Sequence, residues 1–198
     1  MSGLESSVGA LLATLARHGA RVAVVGGLAV SARTEPRFTR DADVCVAVDD
    51  DVEAEALVRT LQAEGYRVLA LVEQEAAARI ATVRLAPPRE NDHGVVLDML
   101  FASSGIEPEV IDSADDMELF EGVRAPIATV SSLIALKVLS RDDARRPQDR
   151  VDLAALLGVA SSADLTETTR LLGLIQDRGY GRGRDLVSLL EGLRADMA

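Results

Sequence analysis

Asp41 and Asp43 stand one residue apart at the start of the apolar run DADVCVAV. Side chains at i and i+2 of a strand share a face, so the two carboxylates project together. Charges that close repel each other, and a divalent cation between them removes the penalty. Magnesium takes a few carboxylates together with substrate phosphate oxygens. The pair is therefore a candidate clamp for a nucleoside triphosphate; the alternative is a solvated loop acid followed by an acid at a strand start. Asp98, in VVLDMLF, has apolar neighbours on both sides. A lone carboxylate in a central strand is costly unless paired, hydrogen-bonded or metal-bound. If its strand lies beside that of Asp41 and Asp43, the three acids form a metal-holding triad whose third member can take a proton from an attacking hydroxyl. Otherwise Asp98 is a capped strand end.

Gly26 and Gly27 close the run RVAVV and open a short helix. Amides at a helix start bind anions, and glycine lets the backbone approach a phosphate closely. No Gly-Lys-Ser/Thr follows and no third glycine is present, which excludes a Walker loop and a dinucleotide fingerprint. Lysine and arginine together number 21, and only Lys137 is a lysine. A compact ammonium differs from a planar guanidinium fork, so a lone lysine asks for a local reason. It shares a helical stripe with Val130, Leu133 and Ile134, where it either snorkels to solvent or reaches a triphosphate. Asp149 and Asp152, three apart, share a face of the next helix and could simply complement its dipole.

These residues need elements to carry them. Residues 4–18, LAVSA and DDDVEAEALVRTLQAEG read as helices; RVAVV, DADVCVAV, YRVLAL, RIATVRLA and GVVLDMLFA read as strands. Residues 103–121 read as an acidic loop and VRAPIA as an edge strand. From Thr129 onward four helical segments follow, divided by the turn RGYGRGRD, which either joins two helices or meets a polyanion. The pattern is α+β: a mixed β-sheet flanked by helices over residues 1–126, then a C-terminal α-helical domain over 127–198. The 198 residues are nearly half apolar, enough for a buried core.

The net charge of −11 and the 3% aromatic content argue against indiscriminate nucleic-acid binding and base stacking. A local basic cleft built from Arg33, Arg37, Arg40, Arg141, Arg145, Arg146 and Arg150 stays open. Cys45 is alone, in an apolar strand, as a core residue in a reducing cytoplasm would be. MSGLESSVGA has no signal-peptide pattern, and no apolar run approaches the roughly 20 residues of a membrane span. A cytoplasmic protein without a membrane partner is expected.

GGLAV, then RFTRDADV, then LDMLF resembles the nucleotidyltransferase superfamily with the DNA polymerase beta-like fold, in particular its AbiEii-like, minimal nucleotidyltransferase toxin branch. Arg37 and Thr39 match its R-x-T-x-D-x-D form, KVLSRD its helical lysine motif, and RPQDRVD its R-P-x-D-x-x-D stretch. Gly27 stands where the wider superfamily usually has serine. The match spans about residues 22–157. The resemblance implies a transferase that moves a nucleoside monophosphate from NTP to an acceptor hydroxyl. Asp41, Asp43 and Asp98 would hold Mg2+, and Asp98 would activate the acceptor. Gly26, Gly27, Arg37, Thr39 and Lys137 would hold the nucleotide; Asp149 would be a late catalytic acid, and Asp152 would hold an arginine. The acceptor would be RNA (a tRNA end), a protein or a small antibiotic, and a cognate antitoxin would be a partner. A non-catalytic binding partner with the same fold is the remaining alternative.

Overall fold

The computed structural model describes residues 3–74, 77–88, 94–142 and 147–195. Seven strands form one mixed sheet: β1 Val22–Val25, β2 Asp41–Val46, β3 Arg67–Gln74, β4 Arg79–Ala86, β5 Val96–Leu100, β6 Asp115–Phe120 and β7 Val123–Ile127. Their order is β3-β4-β5-β2-β1-β7-β6. β2 runs parallel to β5, and β1 parallel to β7; the other neighbours are antiparallel. The central strands are apolar on both faces: Val24, Val44, Cys45, Val46, Leu97 and Met99 are fully buried. Helices must therefore cover the sheet. They are α1 Gly3–Arg17, α2 Gly26–Arg33, α3 Asp51–Ala63, α4 Glu107–Asp112, α5 Val130–Ser140, α6 Pro147–Val159, α7 Ser162–Asp177 and α8 Leu186–Ala195.

α1 buries the stripe Val8, Leu11 and Leu15. α3 is capped by Asp50, whose carboxylate accepts from the Glu53 amide at 2.9 Å, while Glu53 reaches back to the Asp49 amide at 2.7 Å. α5 is buried almost all round, through Ser131, Ser132, Leu133, Ile134, Ala135, Val138 and Leu139. It lies between α2 on one side and α6, α7 and α8 on the other, so the later helices share a single apolar core with the sheet. Among the described residues no helix is long and apolar enough to cross a membrane.

Two readings of the sequence need correction. Residues 103–121 are not a loop: they form α4 and β6. The cause is Glu107, which is buried. One of its carboxylate oxygens accepts from the amides and hydroxyls of both Ser103 and Ser104, at 2.7–2.9 Å, and this anchors the segment from inside. β7 is not an edge strand either. It lies between β1 and β6, and the acidic β6 takes the edge, where charge discourages further pairing.

Candidate functional site

β2 and β5 are parallel neighbours in a register that sets Asp43 directly beside Asp98 and Asp41 beside Val96. Two carboxylates that are 55 positions apart in sequence thus meet on one face. Asp43 lies over Gly26. A Cβ on Gly26 would fall 1.9 Å from Asp43 Oδ2, and Gly26 has φ +60°. Only glycine satisfies both demands of this strand-to-helix turn. Asp41 is exposed at the strand mouth, where Thr39 Oγ1 donates to its Oδ1 at 2.7 Å.

Asp98 is 6% exposed, and its partner is one that the sequence reading missed. Arg84 of β4 stands opposite it in the antiparallel ladder and grips it with two bonds, Nε to Oδ1 at 2.9 Å and Nη2 to Oδ2 at 2.7 Å. The Arg84 guanidinium is held above its ordinary value, first by the hydrogen bonds to Asp98 and then by the charge of Asp98; desolvation opposes them, and the fields of Asp41 and Asp43 add less. All three acids therefore act on one resident cation. Among the described residues no three acidic, histidine or cysteine side chains are gathered as a ready metal cage.

Asp43 and Asp98, but not Asp41, line a cleft of about 310 Å³ between the sheet and α5. Gly26, Asp43 and Asp98 are on the sheet side, with Thr82, Arg84, Ser103 and Ser104. Lys137 and Ser140 of α5 face them, and Arg182 reaches in from the turn between α7 and α8. Arg182 is a non-glycine residue at φ +55°, a conformation held by its surroundings. The turn is tied down by Arg178, which bonds Glu109 through two nitrogens, and by Arg184, which donates to the Leu139 and Arg141 carbonyls.

Lys137 is only 12% exposed and bonds Asp149 Oδ1 and Asp152 Oδ2, each at 2.7 Å. Asp152 Oδ2 also accepts from Arg37 Nη2 at 2.8 Å, and Gln148 donates to its other oxygen at 3.2 Å. The arginine that Asp152 holds is thus Arg37, 115 positions away. Burial, the largest single influence, pushes the Asp152 carboxyl up. The hydrogen bonds from Lys137 and Arg37 more than offset it, and the carboxyl rests below its ordinary value. Asp149, Asp152, Leu153 and Leu156 form the inward face of α6. Asp149 stands behind Lys137, outside the cleft lining.

Arg37 also explains Gly27. A Cβ there would meet Arg37 Nη2 at 2.7 Å, so the guanidinium fills the space that a serine side chain would need. Arg37 and Thr39 do not line the Lys137 cleft; they border a neighbouring groove with Phe38 and Arg40. Arg33 binds the Ile127 and Ala128 carbonyls and Asp115. Much of the expected basic cleft is therefore structural, and Arg145 and Arg146 lie outside the described residues. Cys45 is a buried core residue whose thiol is pushed well up by burial first, then by Glu107 and Asp43.

The sequence profile of the family described as "Nucleotidyl transferase AbiEii toxin, Type IV TA system" matches residues 10–196. No curated protein matches the chain in sequence. In structure the chain is similar to an antigenic nucleotidyltransferase-like protein from Paracoccidioides brasiliensis, at 19% identity and TM-score 0.53, over 96% of this chain and 92% of that one. It is also similar to MenT4, a nucleotidyltransferase toxin from Mycobacterium tuberculosis H37Rv (15% identity, TM-score 0.48, 85% and 62% of the chains), and to the lincomycin-bound lincosamide adenylyltransferase LnuA (13%, 0.48, 79% and 98%). The first of these likenesses shares the fold, and the profile spans nearly the whole chain: the protein belongs to the AbiEii family of nucleotidyltransferase toxins of type IV toxin–antitoxin systems.

Proposed function

We propose that the protein transfers a nucleoside monophosphate from NTP to a hydroxyl on a macromolecular acceptor, RNA or protein, with magnesium, breaking the bond between the α- and β-phosphates and releasing pyrophosphate, and that a cognate antitoxin restrains it. The observation that carries this reading is the pairing of Asp43 with Asp98 across β2 and β5, facing Lys137 over one cleft. The neighbouring hard carboxylates Asp43 and Asp98 suit magnesium; Asp41, Asp43 and Asp98 would hold it once the Asp41 side chain turns in from the strand mouth and Asp98 gives up at least one of its bonds to Arg84. Bound magnesium would screen the acids from one another and neutralise charge on the triphosphate.

The chain's own residues do the rest. Bare backbone at Gly26 admits a phosphate beside Asp43. Two of the three donors on Lys137 are taken by Asp149 and Asp152, and the third serves a phosphate oxygen. Asp149 and Asp152 act as positioning residues, because they fix an otherwise flexible four-carbon chain. Asp98 takes the proton of the attacking hydroxyl. A cleft of about 310 Å³ is at the small end for a ligand site. A nucleotide fills it, so the acceptor presents its hydroxyl from the mouth, as the end of a large molecule does.

The test is incubation with each labelled NTP and magnesium, offering total RNA, total protein and hydroxylated antibiotics separately. Label in RNA or protein that vanishes in Asp43→Ala supports the reading. Label on the antibiotics alone replaces the acceptor, and label retained by the variant removes the site. Calorimetric titration of Mg2+ with NTP gives a readout independent of turnover: wild type binds and Asp43→Ala does not.

A further inference from the structure

β3 is the outer strand of the sheet at the end opposite β6 and is exposed along nearly its whole length. Val68 is 38% exposed, Leu69 and Leu71 are each 50%, and Val72 is 55%. A long apolar edge is a template for pairing unless something blunts it; here the charges sit only at the two ends, Arg67 and Glu73, the ladder to β4 has two irregularities, and the stretch contains neither lysine nor proline.

The order of side chains suggests the partner. Arg67, Val68, Leu69, Ala70, Leu71, Val72 and Glu73 read the same in both directions, except that the two ends carry opposite charges. We propose that β3 pairs antiparallel with β3 of a second copy of this chain, about a twofold axis at Ala70, joining the two sheets into one. In that register Val68 faces the partner's Val72, Leu69 faces the partner's Leu71, and Arg67 faces the partner's Glu73. Each match occurs twice, as an isologous contact requires, and each is of a kind that stabilises cross-strand pairs: β-branched with β-branched, leucine with leucine, cation with anion. A different partner would have no use for the mirrored order. The irregularity at Leu69 falls beside the axis and the one between Val72 and Glu73 near its end, so the symmetry repeats both on either side of the axis. Because Val72 lines the nucleotide cleft, the partner's strand runs past the cleft of each copy. This inference does not depend on the transferase reading.

Sedimentation equilibrium from low to high micromolar concentration tests it. The wild type is expected to double in mass. Arg67→Glu or Glu73→Arg alone sets like charges opposite each other at both ends and weakens the dimer about ten-fold or more. The double variant R67E/E73R restores it, which separates pairing from misfolding. Ala70→Cys should form a disulfide with its own copy. Val68→Cys should not, because its two copies are offset by four residues, about 13 Å along the strand. The native Cys45 is buried and does not compete. A monomer at every concentration, no recovery in the double variant, or cross-linking at position 68 instead of 70 overturns the proposal.

Discussion

Two groups of acids meet two groups of cations in this molecule, and they are built differently. On the sheet, Asp43 and the buried, mid-strand Asp98 line the cleft beside a half-exposed Arg84, with Asp41 exposed at the mouth of β2. Behind α5, Asp149 and Asp152 are sealed by Lys137 and Arg37, with each carboxylate side chain at most 4% exposed. The first group borders the cleft and, on the proposed reading, faces incoming ligand. The second is a closed staple joining the α2–β2 connection, α5 and α6. On the proposed reading the difference separates acids that act on a ligand from acids that hold the frame, even though both look alike as short Asp patterns in sequence.

Substitutions should pull the two groups apart. The largest effect is expected from Asp43→Ala: transfer of labelled NMP falls by about 10³-fold or more, since several kcal/mol of charge stabilisation are lost, while the urea midpoint hardly moves; Asp98→Ala should lose transfer equally and some stability too, because Arg84 loses its partner. Asp152→Ala should do the reverse. Removing one partner from a buried charge cluster costs about 3–5 kcal/mol, read as a lower urea midpoint, with activity falling only as far as Lys137 wanders.

The same carboxylate sets an acid limit. Its folded pKa is depressed, so its contribution is fully present above the unfolded value of about 3.9 and is lost as pH falls through the folded value. Urea midpoints measured from neutral pH downward should drop below about pH 4 in wild type and flatten in Asp152→Asn. Gly27→Ser is smaller. Its side chain must displace Arg37, an overpacking cost of about 1–3 kcal/mol, visible in thermal unfolding. The smallest effect belongs to the exposed pair Arg170–Glu167, where Glu167→Ala should change stability by at most about 1 kcal/mol.

Asp41, Asp43, Asp98, Gly26 and Lys137 were readable in the sequence because each breaks a local rule: acids at a strand mouth or inside an apolar strand, glycines where a helix starts, a lysine among arginines. Strand alternation and helix periodicity likewise gave most elements. Arg84 was not readable. One arginine in RIATVRLA looks like any solvent-facing strand residue until the β4–β5 register sets it against Asp98. Glu107 was hidden for a related reason: its four donors are backbone and hydroxyl groups of Ser103 and Ser104, whose direction no composition reveals. Arg182 enters the cleft only through the tethered turn. What sequence leaves out here is pairing over distance, which depends on register and not on residue type.

The parallel alignment of β2 with β5 has a consequence for synthesis on the ribosome. Parallel neighbours need a crossover, and here it contains α3, β3 and β4, so Asp43 waits for more than fifty further residues before Asp98 arrives. The clamp on Lys137 waits longer, until α6 has emerged. A chain released early, or cut within α6, lacks a complete centre. On the proposed reading, transfer therefore begins only after α6 has emerged and folded against α5.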